Sequence, residues 1–184
     1  MRLLLHSCCA PCSSSVIEQL MQSGQFKHIS VLYYNPNIFP ENEYKKRKNE
    51  QIRMLQMLYP EVSIIDCDYE YDKFLLAVKG LEQEKEGGTR CEVCYRLRME
   101  QTAKKAKEMG FDCFATTLSV SPYKDAELLN QIGQDIASRI GVTYLISNFK
   151  KKNGYLRSIQ LSKEYNLYRQ NYCGCPFSMP KIID

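Results

Sequence analysis

The sequence predicts an α/β fold in which one parallel sheet carries helices on both faces. Short apolar runs alternate with longer amphipathic stretches along the 184 residues, and this alternation is typical of parallel sheets. Because no stretch of 18 consecutive residues is apolar, a membrane-spanning protein is not expected. The chain shows no internal repeat and no obvious linker, so we predict a single domain over residues 1–184.

Five apolar runs have the length and composition of buried strands. The predicted strands are 2–6, 28–34, 62–66, 113–117 and 142–146. Between them, longer segments have the spacing of apolar residues expected of helices. The predicted helices are 11–23, 41–59, 71–79, 91–109 and 124–140. Gly110 and Gly141 stand where C-terminal caps are expected.

The C-terminal part of the chain differs in charge from the rest. From Tyr144 to Asp184 there are seven Lys or Arg residues and two acids, against 18 and 19 before it, within a net charge of +4. This basic segment, about 147–184, indicates either a polyanion partner such as nucleic acid or a solvated surface. Lysines and Gly154 mark the stretch 150–170 as exposed.

Nine cysteines are the most unusual feature of the composition. The N-terminus reaches a cysteine pair and a proline too soon to hold the apolar region of a signal peptide, so a cytoplasmic location is expected. In that compartment cysteines are more often metal ligands or redox groups than disulfides.

Seven of the cysteines fall into three clusters. The clusters are Cys8, Cys9 and Cys12; Cys91 and Cys94; and Cys173 and Cys175. The first cluster follows a predicted strand and opens a helix, a turn whose N–H groups favour thiolates. Because ligands bind at the carboxyl ends of parallel strands, the clusters are expected to meet there. Cys67 and Cys113 stand alone and are predicted to be small buried side chains.

Three chemistries remain open for these clusters. Two C-x-x-C pairs could form a structural zinc site in an RNA-binding module, although zinc needs only four ligands. The C-x-P-C motif that ends at Cys12 is also typical of a dithiol oxidoreductase. An iron–sulfur cluster, alone or beside a second metal, uses more of the sulfurs.

Five blocks of the chain together resemble the QueH family of epoxyqueuosine reductases. The blocks are LHSCCAPC (5–12), YNPNI (34–38), RCEVCYRLR (90–98), TTLSVSPYK (116–124) and LYRQNYCGC (167–175). The resemblance runs almost end to end. It implies an adenine-nucleotide-hydrolase-like (HUP-type, Rossmann-like) α/β fold and the reduction of an epoxide to an alkene in the last step of queuosine biosynthesis.

The resemblance also implies cofactors and partners. The cofactors would be a four-iron four-sulfur (4Fe-4S) cluster and an adjacent mononuclear iron, or another divalent metal. The substrate would be a tRNA whose anticodon stem-loop carries epoxyqueuosine, and an electron-donor protein, whose identity the sequence leaves open, would supply the electrons. No membrane partner is expected.

Residue by residue, the resemblance implies the following ligands for the cluster and second metal: Cys8, Cys9, Cys91, Cys94, Cys173 and Cys175. Cys12 would be a further ligand or a nearby thiol. The basic C-terminal segment would thus return its Cys-Gly-Cys motif to the active site.

Removal of an epoxide oxygen as water also needs protons and substrate contacts. Candidate proton donors or positioning residues are Lys124, Asp125, Tyr168 and Tyr123, each of which could instead cap, pack or lie on the surface. The expected phosphate contacts are Arg90, Arg98, Arg157 and Arg169, because a guanidinium binds phosphate in a bidentate fork. Candidate stacking partners for an unstacked base are Tyr33, Tyr34, Tyr95 and Tyr168.

Overall fold

Five parallel strands form one sheet in the computed structural model, which describes residues 1–151 and 153–179. The strands are β1 (Arg2–His6), β2 (His28–Tyr33), β3 (Ser63–Asp66), β4 (Cys113–Thr116) and β5 (Thr143–Tyr144). They lie in the order β3-β2-β1-β4-β5, and every neighbouring pair is parallel. The predicted α/β class is therefore confirmed.

Six helices surround the sheet. They are α1 (Ala10–Gln22), α2 (Glu41–Leu58), α3 (Tyr71–Ala77), α4 (Thr89–Glu108), α5 (Ala126–Ile140) and α6 (Gly154–Glu164). The first five correspond to the predicted helices, with ends moved by one or two residues. Within the described residues, no helix is both long and apolar enough to cross a membrane.

The sheet is covered on both faces, as predicted. Leu3 and Leu5 of β1 pack in one apolar cluster with residues of α1 and α2, whereas Leu4 packs in another with residues of α4 and α5. Successive side chains of a strand point to opposite faces, so β1 contributes to both layers of the core. All three leucines are fully buried.

The stretch 150–170, predicted to be exposed, is exposed only in part, because α6 occupies about half of it and buries one face. Gly154 and Leu161 are buried, and Arg157 donates to the Glu18 carboxylate of α1 at 2.8 and 2.7 Å. This helix packs along α1 and covers it. Lys152 and the last five residues of the predicted basic segment, 180–184, lie outside the described part of the chain.

The strand order determines where in the fold a binding crevice lies. β2 and β4 lie on opposite sides of β1, so the connections that leave β1 and β4 run in opposite directions. A crevice forms at the carboxyl ends of the strands at such a switch point. Residues from Ser7 onward follow β1, and the short 3-10 helix Thr117–Val120 follows β4. Both segments therefore open into the same crevice.

Replacing Gly133 with Ala should lower the free energy of unfolding by about 1–3 kcal/mol, the usual cost of overpacking a core. Gly133 lies in α5 against Tyr144 of β5, and a Cβ there would come within 2.6 Å of the tyrosine Cδ1. Urea unfolding would measure the change. Ser138→Ala, on the exposed side of the same helix, is the control and should change it by less than about 0.5 kcal/mol. Equal stability of the two variants would contradict tight packing here.

Candidate metal centre and substrate cavity

A cavity of about 720 Å³ opens at the carboxyl ends of the strands. Six of the nine cysteines line it: Cys8, Cys12, Cys91, Cys94, Cys173 and Cys175. Five cationic side chains line the same cavity: Arg47, Arg90, Arg98, Lys124 and Arg169. Thiols from three distant segments of the chain therefore face one electropositive space.

The first cluster is the tightest. The sulfur atoms of Cys8, Cys9 and Cys12 lie within 4.8 Å of one another, and those of Cys8 and Cys9 are 3.8 Å apart. Cys9 is the N-cap of α1 and Pro11 lies in its first turn. The helix N-terminus favours negative charge on these sulfurs. These three thiols could hold a metal ion.

Hydrogen bonds select Cys8 as the most acidic thiol of this cluster. The thiols of Cys12 and Cys9 and the hydroxyl of Thr117 donate to Cys8, and together they hold its pKa well below the usual value despite burial. The Thr117 oxygen lies 3.5 Å from the Cys8 sulfur. Because a metal binds the thiolate rather than the thiol, Cys8 is prepared for ligation.

The second cluster lies in the first turn of α4. Cys91 and Cys94 are spaced i, i+3, so they share one face of the helix, as the sequence predicts. The backbone N–H of Gly87 donates to the Cys91 sulfur at 3.2 Å. Gly87 has a φ of 91°, a conformation that favours glycine. Hydrogen bonds to sulfur are one of the factors that set the reduction potential of a bound iron–sulfur cluster.

The third cluster is the bend at Cys173 and Cys175. The Cys175 thiol and its backbone N–H both donate to the Cys173 sulfur, the latter at 3.4 Å, and the pKa of Cys173 falls to about 6. Gly174 between them has a φ of 106° and packs closely on Ile38. The Gly174 carbonyl accepts from the N–H of Phe39 at 2.9 Å, which fastens the bend to the loop after β2.

Arg47 of α2 holds this bend in place, and sequence reasoning missed it. Its side chain is 2% exposed, and it donates to the carbonyl oxygens of Cys173 and Tyr172 at 3.2 and 3.3 Å. Its Nε donates to Glu43 at 2.6 Å. A signal was present, because Arg47 shares the buried stripe of α2 with Tyr44, but it lies in a charged run that resembles a solvated face.

Lys124 is the candidate proton donor that the structure brings to the cavity. Its ammonium lies 5.8 Å from the centroid of the Tyr95 ring, which also lines the cavity. Burial lowers the pKa of Lys124, but the neighbouring Tyr95 and Cys173 more than offset this and raise it. Lys124 is therefore a charged group that faces the thiols.

Asp125 and Tyr168 are placed elsewhere. Asp125 is the N-cap of α5, where its carboxylate accepts from the N–H groups of Glu127 and Leu128 at 2.8 and 3.3 Å. Tyr168 donates to Glu43 at 3.0 Å and lies under the ammonium of Lys46. Neither is among the residues that line the cavity. Tyr123 lies at its rim and is 82% exposed.

Two of the four predicted phosphate contacts are used within the protein. Arg157 is paired with Glu18, and Arg90 donates to the carbonyl oxygen of Glu82 at 2.9 Å and holds the loop before α4. Arg98 and Arg169 line the cavity. Arg98 donates to the Cys94 carbonyl and the Asn35 side chain, both at 3.4 Å, and Arg169 donates to the Ser162 hydroxyl at 3.2 Å.

The tyrosine prediction is corrected in the same way. Tyr33 and Tyr34 are 0% and 1% exposed, so they pack in the core and offer no face to a base. Tyr95 is 5% exposed but, unlike Tyr33 and Tyr34, it lines the cavity. His6 is also buried, and burial lowers its pKa to about 3, which keeps it neutral. It bonds Thr116 and the Tyr34 carbonyl, as expected of a core residue.

The isolated cysteines lie away from the cavity. Cys113 is in β4 and is 4% exposed, and burial raises its pKa to about 11. Cys67 follows β3, and burial raises its pKa to about 11 as well. Neither thiol lines the cavity; Cys113 is buried as predicted, whereas Cys67 is only half-buried.

The fold and the site define a class: a doubly wound α/β protein whose switch point carries a group of cysteines that could hold a metal. A solved structure with a similar fold is a predicted subunit of tRNA methyltransferase from Methanocaldococcus jannaschii. It has a TM-score of 0.51 and 14% identity, and the match covers 88% of this chain and 75% of that one. This likeness concerns the fold alone.

Sequence comparison is more specific. The family described as epoxyqueuosine reductase QueH matches residues 3–181. Curated relatives of that name from Streptococcus pyogenes, Staphylococcus epidermidis and Thermotoga maritima are 41%, 42% and 38% identical. The matches cover 96%, 98% and 96% of this chain and 69%, 77% and 89% of the relatives. The chain belongs to the QueH family of epoxyqueuosine reductases and is an oxidoreductase.

Proposed function

We propose that this chain reduces epoxyqueuosine within the anticodon loop of tRNA to queuosine, in the cytoplasm. The observation that supports the chemistry is the meeting of six thiols from three segments in one electropositive cavity. The overall change is the loss of the epoxide oxygen as water, which consumes two electrons and two protons. An electron-donor protein must supply the two electrons.

The donor set fits an iron–sulfur cofactor. Cys9 does not line the cavity, but its sulfur lies 3.8 Å from that of Cys8. Seven sulfurs are therefore available, whereas a structural zinc site uses four ligands. We infer that these cysteines hold a 4Fe-4S cluster and an adjacent iron or other divalent metal. When bound, this group supplies single electrons and a Lewis acid.

The protein's own residues would hold and protonate the substrate. Lys124 lies in the cavity as an ammonium and is the proposed donor of a proton to the departing oxygen. Arg98, which is 4% exposed, and Arg169 at the exposed rim are the proposed contacts for phosphates. Tyr95 and Tyr123 are the aromatic side chains placed to contact a splayed-out base.

Anaerobic purification followed by iron and sulfide analysis tests the cofactor. The expected protein is brown and absorbs broadly near ~400 nm, as thiolate-ligated iron clusters do. A colourless protein with one zinc would favour the RNA-binding module, and a metal-free protein with a reactive dithiol would favour the dithiol oxidoreductase. Reduction of epoxyqueuosine-containing tRNA by the brown protein then tests the reaction.

Binding of tRNA should weaken with salt. If about four phosphates are neutralised, the logarithm of the affinity should fall with that of the salt concentration at a slope of roughly −3. Lys151→Ala should flatten this slope by about 0.7, because Lys151 is an exposed cation of the basic segment. Lys104→Ala, at a lysine 59% exposed on α4, should leave it unchanged. A slope near zero for the unchanged protein would indicate that the basic segment is a solvated surface and does not contact tRNA.

A further inference from the structure

A second cavity, also of about 720 Å³, opens at the carboxyl end of β5. The side chains that give it its character are Gln19, Gln131, Gln134, Ile146, Asn148 and Lys151. None of them lines the cysteine cavity, and only Lys151 has a role in the proposed function, as a contact for tRNA phosphate. The cavity therefore needs an explanation of its own.

The lining combines amides, one exposed apolar side chain, the Lys151 cation and the exposed carboxylate of Glu127. Gln131 and Gln134 are exposed on one face of α5, and each amide can donate and accept hydrogen bonds. The Oδ1 atom of Asn148 is buried and has no hydrogen-bond partner within the described part of the chain. Ile146 is 60% exposed, and Lys151 is exposed as well. Amides suit the edge of a nucleobase, Ile146 its face, and Lys151 a phosphate.

The wall of this cavity is preformed. Asn130 donates to the carbonyl oxygen of Ser147 at 3.1 Å and accepts from the N–H of the same residue at 3.1 Å. The Tyr144 hydroxyl also donates to Asn130, at 3.3 Å. Gln19 of α1 donates to the Phe149 carbonyl at 3.2 Å from the other side. Helices α1 and α5 therefore hold the turn after β5 in place without a ligand.

The two cavities are neighbours. Lys124 lines the first and Ala126 the second, so only Asp125 separates the two linings in the sequence, and the Cα atoms of 124 and 126 are at most about 7 Å apart. Lys150 donates to the Lys124 carbonyl at 2.6 Å, which fixes the ridge between the cavities to the turn that carries Lys151. Tyr123, 82% exposed, lies at the rim of the first cavity, one residue before this ridge. A ridge of this width can lie between adjacent nucleotides of one strand.

We propose that the second cavity binds the nucleotide next to the modified one in the same RNA strand. Gln131 and Gln134 would hydrogen-bond the edge of its base, Ile146 would contact its face, and Lys151 would contact its phosphate. Tyr123 would stack between the two splayed bases beside the ridge. This inference rests on the proposed function only in that RNA is the substrate.

The first test is a kinetic split. The double variant Gln131→Ala/Gln134→Ala should raise KM for epoxyqueuosine-containing tRNA about tenfold, the loss expected when contacts to one base edge are removed, and should leave kcat unchanged. Gln56→Ala, an exposed glutamine on α2, is the matched control. Because all three positions are exposed and helical, alanine should not unfold the protein. An unchanged KM for the double variant would overturn the inference.

The second test needs no reaction. Anticodon hairpins without the modification that carry one abasic residue, on either the 5′ or the 3′ side of the target position, are compared with the intact hairpin in a binding assay. The protein should bind one abasic hairpin about tenfold more weakly, and the double variant should bind that hairpin and the intact one equally.

The outcomes separate the two proposals. Equal binding of all hairpins by the unchanged protein, or full discrimination by the double variant, overturns the second cavity as a nucleotide site. Discrimination between hairpins together with no reduction of epoxyqueuosine-containing tRNA would support the site and refute the proposed reaction.

Discussion

Replacing Cys91 with Ser should reduce turnover by more than about a thousandfold, because the loss of one ligand disables a centre whose groups act as a unit. A serine hydroxyl is a poor substitute for a thiolate that receives the N–H of Gly87 at 3.2 Å. The same result is expected for serine at Cys8, Cys9, Cys94, Cys173 and Cys175. Iron content and turnover under anaerobic conditions are the measurements.

Cys67→Ser and Cys113→Ser are the matched controls, since neither thiol lines the cavity. Both should retain turnover and iron. Cys113→Ser should still cost about 1–3 kcal/mol of stability, because it places a hydroxyl in a buried strand. Full activity and unchanged iron content in Cys91→Ser would show that Cys91 is not a ligand of the metal centre.

The second large effect is expected at Arg47. Arg47→Met should lower the free energy of unfolding by about 3–5 kcal/mol, the usual cost of removing one partner of a buried ion pair. It should also release the bend that presents Cys173, since the Arg47 guanidinium donates to the carbonyl oxygens of Cys173 and Tyr172. Iron content should therefore fall although no ligand has changed. Thermal unfolding and iron analysis measure the two effects.

Two further variants separate these effects. Adding Glu43→Gln to Arg47→Met removes the charge left without its partner, so it should recover part of the stability and none of the iron. Lys45→Met breaks an exposed pair on the same helix, where Lys45 is 67% exposed, and should change stability by less than about 0.5 kcal/mol. Normal iron content in Arg47→Met would show that Arg47 does not position the bend.

Much of the fold could be predicted because its signals are local. The apolar runs of β1 and β2, the glycine that ends α5 and the proline in the first turn of α1 act on neighbouring residues. The end of the fifth strand was predicted less well. β5 comprises only two residues, although the N–H of Leu145 still donates to the Phe114 carbonyl at 2.9 Å. Edge strands have one partner, so their length depends on that partner.

The roles of the arginines and tyrosines were predicted less reliably than those of the cysteines. Clustered thiols have few uses in a protein, so their presence alone indicates a metal or redox centre. An arginine or a tyrosine has many uses: Arg157 pairs with Glu18, Tyr34 donates to Glu70, and Tyr168 donates to Glu43. Each partner is distant in the sequence, so no local pattern identifies it.

The sequence by itself determined the fold class, the three cysteine clusters, and the place of the first two clusters after a strand or at a helix start. Only the tertiary structure decided that α6 covers α1, that Arg47 holds Cys173, and that Lys124 rather than Tyr168 faces the thiols. The reason is physical. Periodicity and capping depend on residues within one or two turns, whereas the meeting of residues 47 and 173 depends on how the whole chain crosses the sheet.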